Sequence, residues 1–447
     1  MAAPLLVFND SAPKADILIR EVHVLDPRTA LNGAHDVLVR DGEIAEVGAP
    51  GTLTAPDDAE VLEAQGRHLF PAFVDPHVHL RTPGQEHKED LETGTRSAAA
   101  GGFCAVLAMP NTSPTLDSAP LLRSIRDAAA RDARIPVGFV PCVTRGMAGT
   151  ELTEMAELRE EGAAGFTDDG KPVVSAGMLR KALQYQRLCG GVIALHEEDP
   201  TLSGQGAMHE GDVSAQLGIT GIPSISEAVM VARDALIAEY EGGAIHIQHL
   251  SARESIAALA DAKQRGVRIT GEASPHHLCL TDEAVRTLDT RCKMNPPLRT
   301  EQDRQALIEG LRSGVVDCIA TDHAPHARDE KEVPFEQAPM GTTGLETSFA
   351  SIYTYLVKPG VLTLDLLVQR LSDGAALFDL PTPRVEPGAP ANLTLVDLER
   401  EWVVGDGGYE SRSANCCFDG RTLSGKVLLT VASGAIAFRA RQLEVVR

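Results

Sequence analysis

The chain has 447 residues, enough for two or three domains, or for one large barrel with an appendage. With 43% hydrophobic and 23% charged residues, wholesale disorder and fibrous repeats are excluded. A net charge of −22 argues against a nucleic-acid-binding surface and against docking on anionic membranes, so an acidic substrate would need a local cation.

No apolar run approaches the ~18–20 residues of a membrane span. The apolar start, residues 1–8, is short and has no basic flank, so a secretory leader is not expected. The 8 cysteines are scattered and form no CxxC pair. In a chain of this size they read as reduced thiols of a cytoplasmic protein, and a cysteine-based zinc site is not indicated.

In chain order, residues 15–64 read as short strands. Ala15, Ile17 and Ile19 fall on one face of the first, and Asp41-Gly42 and Pro50-Gly51 punctuate the rest. Residues 391–397 and 426–431 look similar, so two β-rich ends flank a different middle. There, eight apolar runs (72–80, 104–109, 137–143, 164–167, 192–196, 244–249, 267–272 and 317–321) alternate with Ala/Leu/Glu/Arg-rich stretches such as 119–134, 226–240 and 255–265. Eight β–α units fit a (β/α)8 TIM barrel. An open doubly wound sheet is the second choice, weakened by the lack of a Gly-rich phosphate turn after the first strand.

Polar residues close these runs: His77-Val78-His79-Leu80-Arg81, Met109-Pro110-Asn111, Asp168-Asp169, His196-Glu197, His246-Ile247-Gln248-His249 and Asp322-His323. In a barrel they meet at one mouth, and histidines converging with carboxylates there point to a metal site. Of 14 histidines, 11 lie between His77 and His326 inclusive. His77 and His79 are two apart on a strand and share a face, so both can chelate one ion. The same period lets only one of Asp168 and Asp169 face inward, sets His246 and His249 on opposite faces, and separates Asp322 from His323. Asp75 shares the inward face but lies deeper, as support. One isolated pair of this kind is more often structural than ligating; several matching strand ends make that joint reading harder to hold.

Residues 69–81 resemble the opening motif of the amidohydrolase superfamily, and more narrowly that of dihydroorotase of the class I bacterial type. The resemblance extends in order through Ala108-Met109-Pro110-Asn111, Phe166–Gly170, Ile247–Ser251, Ser274–Leu278, Met294–Arg299 and Ile319–His326, covering nearly the whole chain. It implies two Zn2+ ions: His77, His79 and Asp322 on one, His196 and His249 on the other, and Asp169, by its distance to His196, bridging both. Lys171 reads as an ordinary loop lysine. Asp322 would shuttle the proton. Arg81, Asn111 and His326 would hold a substrate carboxylate, with His79 close by; Asn295 and the backbone near Met340-Gly341 would contact the ring. His276 and His277 would be structural.

Two departures, Ala72 for a usual glycine and Glu197 for a frequent cysteine, touch no implied ligand. The implied reaction is reversible cyclisation of N-carbamoyl-L-aspartate to L-dihydroorotate, a step of pyrimidine biosynthesis. The implied organisation is a composite β-sandwich domain from residues 1–70 and 385–447 beside a barrel at 71–384. A homo-oligomer, a dimer, and a complex with aspartate transcarbamoylase are the implied assemblies. A hydantoinase-, dihydropyrimidinase- or allantoinase-like enzyme, and a catalytically silent subunit of the transcarbamoylase, are the alternatives. The polar stretch 327–344 reads as a lid or as an ordinary loop.

Overall fold

The computed structural model describes residues 5–441 and 443; residues 1–4, where the leader reading partly fell, lie outside it. Of that start, Val7 pairs with Val137.

The N-terminal strands are β1 (Ile17–Asp26), β2 (Leu31–Arg40), β3 (Glu43–Gly48), β4 (Glu60–Glu63) and β5 (His68–Pro71). Leu18 is buried along with Ile17 and Ile19, so β1 is covered on both faces rather than one. A bulge between Ile19 and Val22 puts Glu21 at φ 51°, and the buried Asp36 carboxylate accepts the Glu21 N–H at 3.0 Å.

The middle of the chain supplies β6 (Phe73–Val78), β7 (Phe103–Ala108), β8 (Val137–Phe139), β9 (Gly165–Thr167), β10 (Val192–Leu195), a side pair β11 (Met208–His209) and β12 (Gly221–Ile222), then β13 (Ile245–Ile247), β14 (Ile269–Ala273) and β15 (Cys318–Ile319). All eight expected runs contain a strand, several of them shorter than expected. They form two parallel sheets, β6-β7-β8 and β9-β10-β13-β14-β15, each strand beside its neighbour in sequence. A doubly wound sheet would reverse its strand order midway, and these pairings contain no reversal. Backbone bonds join the sheets at both margins. Ala164 and Thr167 N–H donate to the Phe139 and Pro141 carbonyls at 2.8 and 2.9 Å; opposite, Val78 bridges His323, and His79 N–H donates to the His323 carbonyl at 2.9 Å.

Helices follow most strands. Leu91–Ala100 starts on an Asp90–Thr93 capping box. Glu301–Ser313 starts on Thr300–Asp303 and stops at Gly314, whose φ of 80° ends it in the left-handed conformation.

The C-terminal strands β16 (Leu393–Val403), β17 (Thr422–Ala432) and β18 (Ala435–Arg439) rejoin the first sheet, in the order β18-β17-β16-β5-β1-β2-β3 with β4 on β1. The β5–β16 ladder, with Leu69 opposite Leu395, is where the two ends meet. Ile19, Val24, Leu69, Leu395 and Leu429 fill a core separate from that of the middle region. One C-terminal segment leaves this layer. Ser411, Arg412 and Asn415 bond to Glu89, Asp90 and the His326 N–H, so this segment, expected in the β-rich layer, braces the other one.

Asp75 ties the margins of the parallel sheets together. Fully buried, it accepts the His77 and Thr321 N–H groups at 3.1 Å and the Thr321 hydroxyl at 2.5 Å. Removing it strands three buried donors, each costing about 1–3 kcal/mol. Asp75→Ala is therefore expected to lower unfolding stability by about 3 kcal/mol, measured by urea denaturation of the metal-free protein, with Asp75→Asn losing less.

Candidate metal centre and cleft

The six candidate ligands come from strand ends. His77 lies on β6 and His79 just past it; Asp169, His196, His249 and Asp322 follow β9, β10, β13 and β15. His249 and Asp322 sit at φ 31° and 46°, and Arg81 at 58°. Left-handed backbone is unfavourable for such residues and persists where surrounding contacts over-determine it.

Asp169 is at the centre. Its Oδ2 is 3.5 Å from His77 Nε2 and 3.4 Å from His79 Nε2, and its Oδ1 is 3.4 Å from His249 Nε2 and 3.7 Å from His196 Nδ1. Asp322 Oδ1 joins the first lobe, 3.1 Å from His79 Nε2 and 3.5 Å from His77 Nε2. His196 Nδ1 and His249 Nε2 face each other at 2.8 Å in the second. Two triads of potential ligands thus share one carboxylate. His77 Nε2 and Asp169 Oδ1 are buried without hydrogen-bond partners. Orphaned nitrogen and oxygen atoms converging in a buried site fit a divalent cation.

The electrostatics agree. Burial disfavours every charge here, yet His77, His196 and His249 hold the Asp169 carboxyl well below its usual range. Against the same burial, Asp169 and Glu272 hold His77 well above its ordinary value, and Asp169 with Glu198 lifts His196 to about 9. Asp322, bonded to His79, is held at about 2 and is ionised at neutral pH.

The period-2 choices resolve in space. Asp168 turns away and accepts the Thr144 N–H at 3.0 Å. His246 faces Thr270 and Glu272, and His323 faces Glu89. His276 and His277 share the Ser274 hydroxyl and stay outside the cluster.

A cleft of about 290 Å³ opens over the cluster. Of the twelve residues singled out in sequence, all but His77, which lies behind, line it: His79, Arg81, Asn111, Asp169, His196, His249, Asn295, Asp322, His326, Met340 and Gly341. Arg81 is buried; its Nε donates to the Pro325 carbonyl at 3.1 Å, and its other nitrogens have no protein partner among the described residues. Burial lowers its pKa to about 10, so it remains cationic. Burial, with Arg81 next, lowers His326 to about 3; this imidazole is neutral, its Nε2 bonded to the Met340 carbonyl. The segment 327–344 is pinned down: the buried Lys331 Nζ donates to the carbonyls of Thr290, Lys293 and Pro339. A larger hollow of about 720 Å³, between Phe8, Glu92 and Arg134, has no such convergence of imidazoles.

Sequence reasoning missed two carboxylates. Glu272, fully buried at the end of β14, accepts from His77 Nδ1 at 2.6 Å, His246 Nε2 at 3.0 Å and the His249 N–H at 3.1 Å. A lone acid in a buried apolar strand was its available signal. Glu198 bridges His196 Nε2 at 3.2 Å and Asn295 Nδ2 at 2.6 Å. It lies in a Glu-Glu-Asp loop run whose conformation sequence does not supply.

Two expectations follow. Because His77 and His196 carry protons that a metal must displace, uptake should release protons, and affinity should rise with pH until His196 is deprotonated near pH 9. Calorimetry in buffers of different ionisation enthalpy reads this directly. Glu272 holds the His77 Nδ1–H and leaves Nε2 facing Asp169, so Glu272→Gln should weaken metal affinity about 10–100-fold in chelator competition.

A family model described as "Dihydro-orotase-like" matches residues 66–255. A dihydroorotase of Acetivibrio thermocellus is 42% identical over 428 residues, 96% of this chain and 100% of the relative. One of Pelotomaculum thermopropionicum is 44% identical over 426 residues, 95% of this chain and 99% of the relative. Among solved structures, an L-hydantoinase (dihydropyrimidinase) from Arthrobacter aurescens superposes with a TM-score of 0.84 at 23% identity, covering 97% of this chain and 98% of that one. A dihydropyrimidinase from Brevibacillus agri gives 0.82 at 22%, covering 96% of each chain; at such identity these two establish likeness of fold alone. With relatives this similar over essentially their whole length, the chain belongs to the dihydroorotase family.

Proposed function

We propose that this protein is a dihydroorotase, opening L-dihydroorotate to N-carbamoyl-L-aspartate and closing it in reverse, with two zinc ions per chain. The observation that carries the reading is the unpaired Arg81 guanidinium in the same cleft as the Asp169-centred cluster. A buried cation without a partner is costly, and a substrate carboxylate would complete it by a bidentate pair. Asn111 and His326 flank that anion site; Asn295 and the backbone of Met340 and Gly341 contact the ring.

His77, His79 and Asp322 would hold one ion, His196 and His249 the other, and Asp169 both. When bound, such a pair of ions polarises a carbonyl and makes water more acidic. Asp322, ionised and at the cleft wall, accepts a proton from the water that adds to the ring amide carbonyl. It returns that proton to the ring nitrogen as the C–N bond breaks, so one water is consumed per ring opened. His79 stays oriented by its Nδ1 contact with Asn111 Oδ1 at 2.8 Å.

The same proposal reads the two parallel sheets as one closed (β/α)8 barrel at residues 71–384 and the remaining sheet as a composite β-sandwich domain. In-order pairing and the hydrogen bonds at both margins support it. A catalytically silent subunit is disfavoured, since none of the six ligand residues is missing.

Zinc-loaded protein is expected to consume L-dihydroorotate, followed by ultraviolet absorbance, and Asp322→Asn to lower kcat by about 10²–10⁴-fold. Unchanged turnover in that variant, or faster opening of hydantoin or dihydrouracil, would overturn the reading. Arg81→Lys should raise KM about tenfold or more with a smaller change in kcat, because lysine cannot make the paired contact.

A further inference from the structure

Glu198 joins the metal centre to the ring side of the cleft. Its Oε2 lies 3.2 Å from His196 Nε2 and 2.6 Å from Asn295 Nδ2. His196 turns its other nitrogen, Nδ1, toward Asp169 and His249. Its Nε2 therefore points out of the cluster and donates to Glu198, so one carboxylate oxygen receives a hydrogen bond from each side. The loop that carries Glu198 is itself tied down: the Asp199 N–H donates to the Ser226 carbonyl at 2.8 Å, and the Asp199 carboxylate accepts the Thr201 N–H at 2.8 Å.

The two ends of an asparagine amide ask opposite things of a ligand, since Oδ1 accepts and Nδ2 donates. Glu198 removes the choice at Asn295. A carboxylate only accepts, so the amide nitrogen must face it and Oδ1 is left over. Asn295 lines the cleft, and its Oδ1 has no protein partner among the described residues. The main chain is held as well. His277 faces the Ser274 hydroxyl with Nδ1 at 2.6 Å and donates from Nε2 to the carbonyl of Pro296, the next residue, at 2.9 Å. Backbone and amide are thus both set before a ligand arrives. An acceptor fixed in this way suits a ring N–H, and a ring edge with no hydrogen to give leaves it unpaired.

We propose that Glu198 is a positioning residue for substrate recognition, orienting the Asn295 amide so that Oδ1 accepts a ring N–H of the cyclic amide. The inference rests on the proposed ring-opening reaction and adds to it the residue that sets the polarity of the ring contact.

In Glu198→Gln the side chain at 198 can donate, which lets Asn295 turn its nitrogen to the cleft. With metal-saturated protein, KM for L-dihydroorotate should rise about tenfold, the factor one lost hydrogen bond gives, with a smaller change in kcat. Calorimetry should show a similar loss of affinity for the planar ring ligand orotate. Asn295→Ala should behave alike, and Glu198→Gln added to Asn295→Ala should cost less than about threefold more. An effect passing through His196 alone would persist in the double variant and appear as weaker metal binding in chelator competition. Additive losses in the double variant, or KM and orotate affinity unchanged in Glu198→Gln, would overturn the inference. A wild type that opens hydantoin or dihydrouracil in place of L-dihydroorotate overturns the reaction reading instead; the same four proteins compared on that ring then decide this one. A wild type that opens none of these rings and binds no orotate overturns both.

Discussion

One carboxylate organises the site. Asp169 is buried among imidazoles and offers one oxygen to His77 and His79 and the other to His196 and His249. Without it, two groups of imidazoles would face each other with no anion between them. With it, each group has an anionic neighbour and a shared reference point. In the structure Asp169 rather than Asp168 faces the cluster: the Thr167 hydroxyl donates to Gln248 Oε1 and accepts the Asp169 N–H, and Asp168 is left to cap Thr144.

Around that centre the protein builds in layers. Glu272 and Asn111 hold the outer nitrogens of His77 and His79, and Asp75 secures the backbone on which His77 sits. Such outer contacts set tautomer and ring direction before any ion or substrate arrives. Farther out, Asn415 accepts the His326 N–H and donates to the Ala324 and Gly341 carbonyls, so a segment near the C-terminus shapes the cleft rim. Lys331 does the same from below, holding Pro339 and with it Met340.

The residues that cluster at the strand ends could be singled out in the sequence because they obey a local rule. A period of two put His77 and His79 on one face, and the pattern of polar residues closing apolar runs marked the strand ends. The family resemblance then chose among neighbours that the pleat alone left open. Glu272 and Glu198 were not legible, because their roles depend on which strands become neighbours and on one loop's path. Asn415 was hidden by the same cause, a contact across more than eighty residues from His326. The β-rich ends were read correctly as strands, but the burial of Leu18 on the second face of β1 depended on packing that no single segment encodes.

The most direct test of the account is the number of ions bound by purified, metal-loaded protein, counted by elemental analysis and titration for the wild type and for Asp169→Ala. Two ions per chain in the wild type, with both sites weakened together in the variant, is the predicted result. A variant that keeps one site at wild-type affinity while losing the other would contradict the shared role of Asp169.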